Sequence, residues 1–179
     1  MSTVAIIGAG PLGRWLALGA ARAGYRVTIE DVMPGNLRRA RESIRPETDL
    51  AALSHHALPA VEFVSTIEDA VRDADLVIDC VPDDLESKLE ILWLLDRMAP
   101  PRTVFATPTM NLSIADLASC TYRPEKCIAI AASPAALAGG AGSDLLLRAA
   151  PATSKEAADL VSGFFAKLGF KPTVERCPV

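Results

Sequence analysis

The chain has 179 residues, half of them hydrophobic and 22% charged, with a formal net charge of −4. That length suits one core in a single domain over residues 1–179, and the acidic balance supplies no field for a phosphate backbone, so nucleic acid is excluded as an expected partner. Cys80, Cys120, Cys127 and Cys177 form no C-x-x-C pair and have no histidine at ligand spacing, which implies a reduced, cytoplasmic protein without a metal; no apolar run is long enough to span a membrane.

Taken in chain order, Thr3 to Ile7 is a short β-branched run and predicts a strand. It ends in a Gly-rich turn, after which Leu12, Leu16, Ala20 and Ala23 recur at helical spacing, with Pro11 suited to the first turn and Gly24 to the exit. Val27 to Asp31 predicts a second strand, Asn36 to Arg45 a helix, and the stretch between Pro46 and Pro59 a separate short helix. Val61 to Val64 predicts a third strand, followed by a short helix capped by Ser65 with Glu68. Leu76 to Val81 is continuously apolar apart from Asp79, as strands buried on both faces tend to be. A helix from about Asp84 carries Leu85, Leu89, Leu92 and Leu95 along one face. Thr103 to Ala106 and Cys127 to Ala132 predict two more strands. A last helix is capped by Thr153 with Glu156, and Phe170 to Val174 closes as a strand. Strands alternating with helices predict an α/β protein with a doubly wound, mainly parallel sheet and helices on both faces.

The chemistry starts at "VAIIGAGPLG", where Gly8, Gly10 and Gly13 stand as G-x-G-x-x-G between a strand and a helix. In a Rossmann-type fold Gly8 permits the tight turn, Gly10 lets a pyrophosphate approach the backbone, and Gly13 lets helix pack on strand. Pro11 and Leu12 fill the turn, and the helix N-terminus offers free N–H donors to an anion. Asp31, at the end of the second strand, is placed to accept both ribose hydroxyls of an adenosine. An acid there repels a 2′-phosphate and no arginine follows it immediately, so NAD is expected over NADP.

Three segments, "VAIIGAGPLGRWLALGAARAGYRVTIEDV", "DADLVIDCVPDDLESKLEILWLLDRMAPPRTVFAT" and "APATSKEAADLVSGFFAKLGFKPTVE", together resemble the NAD-binding domain of the 3-hydroxyacyl-CoA dehydrogenases. The resemblance implies that Val81, Pro82 and Asp83 line the cofactor site, and that Asp83 and Lys88 contact its ribose and phosphates. It also implies a general-base histidine at the position of Ala131, an orienting glutamate at Leu146, and an N-T-S-S stretch where Pro108 to Asn111 reads P-T-M-N. Those groups are replaced here, and the family's helical C-terminal domain is not in the sequence.

Hydride transfer from an alcohol requires loss of the hydroxyl proton, and a positioned base contributes roughly 10²–10⁴ in rate. His55 and His56 read as solvated or partly packed, far along the chain from the nicotinamide side. The substitute polar groups are Asn111, Ser133 and Asp144; strand alternation puts Asp144 on the face of Leu146, though an acid after "AGGAGS" also reads as a loop cap. The run from Ala138 to Gly142 reads either as a mobile lid or as a short connection, and Arg38, Arg41 and Arg45 either as a site for coenzyme A phosphates or as a solvated helix face. Cys80 reads as a small buried hydrophobe. Two functions follow as expectations. One is an NAD-dependent oxidoreductase acting on a hydroxyacyl or ketoacyl group, carried on coenzyme A or a carrier, with altered catalytic residues. The other is a non-catalytic NAD-binding module that acts as sensor, regulatory subunit or pseudoenzyme partner. A homodimer is expected in either case, to cover the face left by the missing domain.

Overall fold

A computed structural model describes residues 2–53, 59–139 and 142–177 of the chain. His55 and His56, the end of the stretch between the two prolines, and residues 140 and 141 lie outside the described residues. The first strand, β1 (Thr3–Ile7), is buried along its whole length because it sits near the middle of the sheet. It pairs in parallel with β2 (Arg26–Glu30) on one side and β4 (Leu76–Asp79) on the other. Beyond them lie β3 (Val61–Val64) at one edge and β5 (Val104–Pro108), β6 (Cys127–Ile130), β7 (Asp144–Ala149) and β8 (Lys171–Arg176) toward the other, in the order β3-β2-β1-β4-β5-β6-β7-β8. Only the β6–β7 pairing is antiparallel, which bears out the doubly wound, mainly parallel sheet.

Helices cover both faces. One face buries Ile6, Leu16, Ile29, Phe164 and Phe165 under α1 (Pro11–Arg22), α2 (Pro34–Leu53) and α7 (Lys155–Lys167). The other buries Ile7, Val77, Leu92, Phe105 and Leu117 under α3 (Ile67–Val71), α4 (Leu85–Met98) and α5 (Ile114–Ala118). Successive side chains of β1 therefore enter different cores, Ile6 into the first and Ile7 into the second, which explains its uninterrupted apolar sequence. The chain order reverses between β1 and β4, and this switch point opens a crevice at the carboxyl ends of the two strands.

Several boundaries differ from the sequence reading. α2 is one helix that runs through Pro46, so the break expected there is absent. α3 is capped by Thr66, whose hydroxyl accepts from Asp69 N–H, one residue after the expected Ser65/Glu68 box. Likewise Ser154, not Thr153, caps α7; Thr153 is buried and donates to the Cys127 carbonyl at 2.8 Å. On α4, Leu92 and Leu95 are buried as expected but Leu85 is exposed, because the inward stripe is shared with Lys88, Ile91 and Asp96.

Lys88 is the largest fully buried side chain among the described residues. Its Nζ donates to Asp79 Oδ1 at 2.5 Å, both side chains being 1% exposed, which ties α4 to the end of β4 directly beneath the crevice. Burial pushes the Asp79 carboxyl upward, and the Lys88 ammonium opposes that by favouring the charged form. Removing one partner of such a pair strands a buried charge, at about 3–5 kcal/mol. Lys88→Met is therefore expected to lower unfolding stability by about that amount, and the Asp79→Leu/Lys88→Met double variant to regain most of it. Urea denaturation of both variants checks this; a single variant within about 0.5 kcal/mol of the parent would contradict the pairing.

Candidate cofactor-binding crevice

The crevice is built on the turn that leaves β1. Gly8 adopts φ +102, a backbone conformation that side chains disfavour, and its N–H donates to the Glu30 carbonyl at 2.8 Å. Gly10 is the N-cap of α1, with no side chain capping the helix and Pro11 in its first turn. The N–H groups of Leu12 and Gly13 thus stand at a helix start without intrahelical acceptors. A Cβ on Gly13 would lie 1.8 Å from the Gly8 carbonyl oxygen, whereas one on Gly10 would meet nothing within 4 Å. One glycine is required by the fold and the other leaves space in front of the helix end, as a bound pyrophosphate needs.

Asp31 follows β2 and is buried. Its Oδ1 accepts from Met33 N–H at 2.8 Å, and its Oδ2 accepts from Ala9 N–H and Asn36 Nδ2, each at 2.9 Å. A carboxylate has about four acceptor positions, so these three donors fix its place beside the glycine turn and leave room for one ribose hydroxyl. The expectation that it takes both hydroxyls is narrowed accordingly.

Two cavities sharing Gly10, Cys80 and Val81 make up the crevice. The adenosine end, about 360 Å³, is lined by Gly8, Glu30, Asp31, Val32 and Pro82 among others. The other end, about 380 Å³, is lined by Pro11, Leu12, Gly13, Asp83, Asn111 and Ser133 among others. The structure thus brings together every residue expected to bind the cofactor except Lys88. That residue is a correction: its ammonium is turned inward to Asp79, because a cation on the buried face of α4 needs a counter-charge more than it needs solvent.

Asp83 Oδ2 accepts from Met110 N–H at 3.1 Å, and Arg148 on β7 donates to the Met110 carbonyl at 3.1 Å. The loop after β5, which carries Asn111, is therefore held from both sides. Ser133 lines the same cavity, but its Oγ accepts from Ala136 N–H at 3.2 Å, at the start of α6 (Pro134–Gly139). Asp144 is a further correction. It is exposed at the start of β7, with Lys171 of β8 as its register partner, and does not line the cavity. Ala131 N–H donates to the Leu146 carbonyl at 2.9 Å, so the two positions where the resemblance implied a base and its orienter are neighbours, both apolar.

Burial pushes the Cys80 thiol above its ordinary range, in keeping with a packed small side chain. Ala138 and Gly139 are helical, and Gly142 N–H donates to the Gly169 carbonyl at 2.7 Å. Arg38 pairs with Glu42, and Arg41 lies over the Phe63 ring; neither reaches the crevice. Two features escaped the sequence reading. Arg148 gave no signal because its partner is a backbone carbonyl distant in sequence. Glu30 sat beside the obvious acid, Asp31.

A strand, a glycine turn, a helix start and an acid around one switch-point crevice define a dinucleotide-binding α/β protein. The chain belongs to the family described as "3-hydroxyacyl-CoA dehydrogenase, NAD binding domain", whose model matches residues 3–175, and NAD is its cofactor. It is 31% identical over 137 residues to the probable 3-hydroxybutyryl-CoA dehydrogenase of Bacillus subtilis (strain 168), covering 70% of this chain and 46% of that protein. It is 36% identical over 131 residues to the 5-formyl-3-hydroxy-2-methylpyridine 4-carboxylate 5-dehydrogenase of Mesorhizobium japonicum, covering 70% and 42%. The chain thus spans less than half the length of these curated relatives. Among solved structures, a 3-hydroxyacyl-CoA dehydrogenase from Archaeoglobus fulgidus superposes with a TM-score of 0.80 at 27% identity, over 100% of this chain and 58% of that one. A diketoreductase superposes with a TM-score of 0.83 at 26% identity, over 98% and 64%.

The two glycines separate fold from ligand. Gly13→Ala is expected to lower stability by several kcal/mol, since backbone must move to admit the methyl, whereas Gly10→Ala should melt like the parent and bind NADH at least about tenfold more weakly. Thermal denaturation and NADH fluorescence titration check the pair. Equal behaviour of the two variants in both measurements would contradict the assignment.

Proposed function

We propose that this chain binds NAD(H) as the cofactor half of an oxidoreductase that works on a hydroxyacyl or ketoacyl group, with catalytic residues altered from those the family resemblance implies. The observation that carries the reading is the glycine turn and open helix start beside Asp31 at the switch point. When bound, NAD(H) supplies the hydride acceptor or donor. The chain's own part is to hold the pyrophosphate on the Leu12 and Gly13 N–H groups, anchor the adenosine ribose on Asp31, and steady the far end of the crevice through the Asp83 to Met110 bond. Besides Asp83, which is bonded to Met110 N–H, the polar side chains lining that end are Asn111 and Ser133, and neither takes up a proton near neutral pH.

A second reading, a non-catalytic NAD-binding module serving as sensor, regulatory subunit or partner of another chain, is favoured by the apolar Ala131 and Leu146 pair. The substrate under the first reading is a small acyl group on coenzyme A or on a carrier. A homodimer belongs to both readings as the means of covering exposed apolar side chains such as Trp93 and Met98 on α4.

Titration with NADH followed by an acetoacetyl-CoA reduction assay separates the two. The first reading expects NADH binding and slow turnover, reduced by about 10²–10⁴ relative to an enzyme with a positioned base. Binding with no turnover above background selects the module, and no binding at all removes both.

A further inference from the structure

Glu30 is the last residue of β2 and is only 6% exposed. It lines the adenosine end of the crevice with Ile7 from β1, Ile67 from α3, Val81, and Ile91 from α4. Its carboxyl has neither hydrogen bond nor ion pair among the described residues, while the adjacent Asp31 has three donors. A carboxyl group with no donor of its own, set in an apolar slot where a dinucleotide places its base, is built for a partner that brings both a donor and an acceptor.

We infer that Glu30 reads the adenine: its neutral carboxyl donates one hydrogen bond to a ring nitrogen and accepts one from the exocyclic amine, so that binding of NAD(H) takes up a proton. This rests on the NAD reading of the crevice. A flat base closing the slot removes the remaining water from Glu30, and a carboxylate sealed there without a cation would pay the full desolvation penalty. The neutral acid avoids that penalty and matches the edge of adenine.

No nearby charge supplies an alternative. The charged groups on the elements packed around Glu30 are Arg26 on β2 and Asp31 just after it, Glu62 on β3, Asp79 on β4, Glu68 and Asp69 on α3, and Glu86, Lys88, Glu90, Asp96 and Arg97 on α4; β1 carries none. Arg26 stands at the opposite end of β2, Arg97 lies over the Trp93 ring in the last turn of α4, and Asp96 is paired with Arg123. Lys88 is held by Asp79, and the arginines of α1 and α2 lie on helices that cover the opposite face of the sheet. Burial first, and the Asp31 charge second, push the Glu30 carboxyl up to about 7. The sign follows from that. The complex holds the neutral form and so raises the value further; affinity is full below about pH 7 and falls as pH rises, with a limit of about tenfold per unit.

Calorimetric titration of the chain with NADH at pH 8, in two buffers of different ionisation heat, is expected to report uptake of close to one proton per site, and the dissociation constant is expected to rise about tenfold from pH 7.5 to 8.5. Glu30→Gln keeps a donor and an acceptor but cannot titrate, so it should bind NADH with no proton uptake and a flat profile. NADH binding by the parent with no proton uptake overturns the inference and leaves the NAD reading standing, as does a Glu30→Gln variant that keeps the parent's pH slope. Failure to bind NADH at pH 6.5 as well as at 8 overturns the reading beneath it.

Discussion

The contact between Gly13 and the Gly8 carbonyl is the constraint from which the rest of the site follows. Helix α1 can start directly behind β1 only because no side chain intervenes, and that approach leaves the first N–H groups of the helix facing the crevice. The same turn carries Ala9 N–H to Asp31, so the acid that marks the ribose end is fixed by the strand that supplies the phosphate end. Two recognition elements are thereby set by one backbone geometry, in a part of the sheet buried on both faces.

The sheet was legible because buried parallel strands write themselves as continuous apolar runs, and β1 and the body of β4 fall where those runs stand. The caps were legible only to within a residue. Ser65, Thr66, Thr153 and Ser154 present the same hydroxyl, and which one faces the helix N–H groups is decided by how the preceding strand ends. Pro46 failed as a breaker because a proline forfeits one hydrogen bond, a loss the remaining turns of α2 tolerate.

Lys88 was unreadable for a different reason. A lysine in an amphipathic helix reads as solvent-facing, and only the fold reveals that Asp79, on a strand completed nine residues earlier, waits beneath it. Asp144 illustrates the limit of alternation. Its side was right relative to Leu146, but β7 runs antiparallel to β6 and carries it past the cavity to lie opposite β8. Glu30 shows the converse: a residue that alternation alone would class as a strand acid becomes, in three dimensions, an unpaired carboxyl in the adenosine slot.

The crevice is therefore unequal along its length. Its adenosine and phosphate end has fixed donors and acceptors, while its far end offers the Asp83 carboxylate bonded to Met110 N–H, an amide, and a hydroxyl already engaged by α6. Binding and chemistry are separable in such a site, and binding is the part the chain itself determines. The most direct test of that claim is calorimetric titration with NADH and NADPH side by side at one ionic strength. The account predicts that NADH binds one site per chain and that NADPH binds at least about tenfold more weakly, because a 2′-phosphate would face the Asp31 carboxylate at the ribose end. Equal affinity for the two, or tighter binding of NADPH, would contradict it.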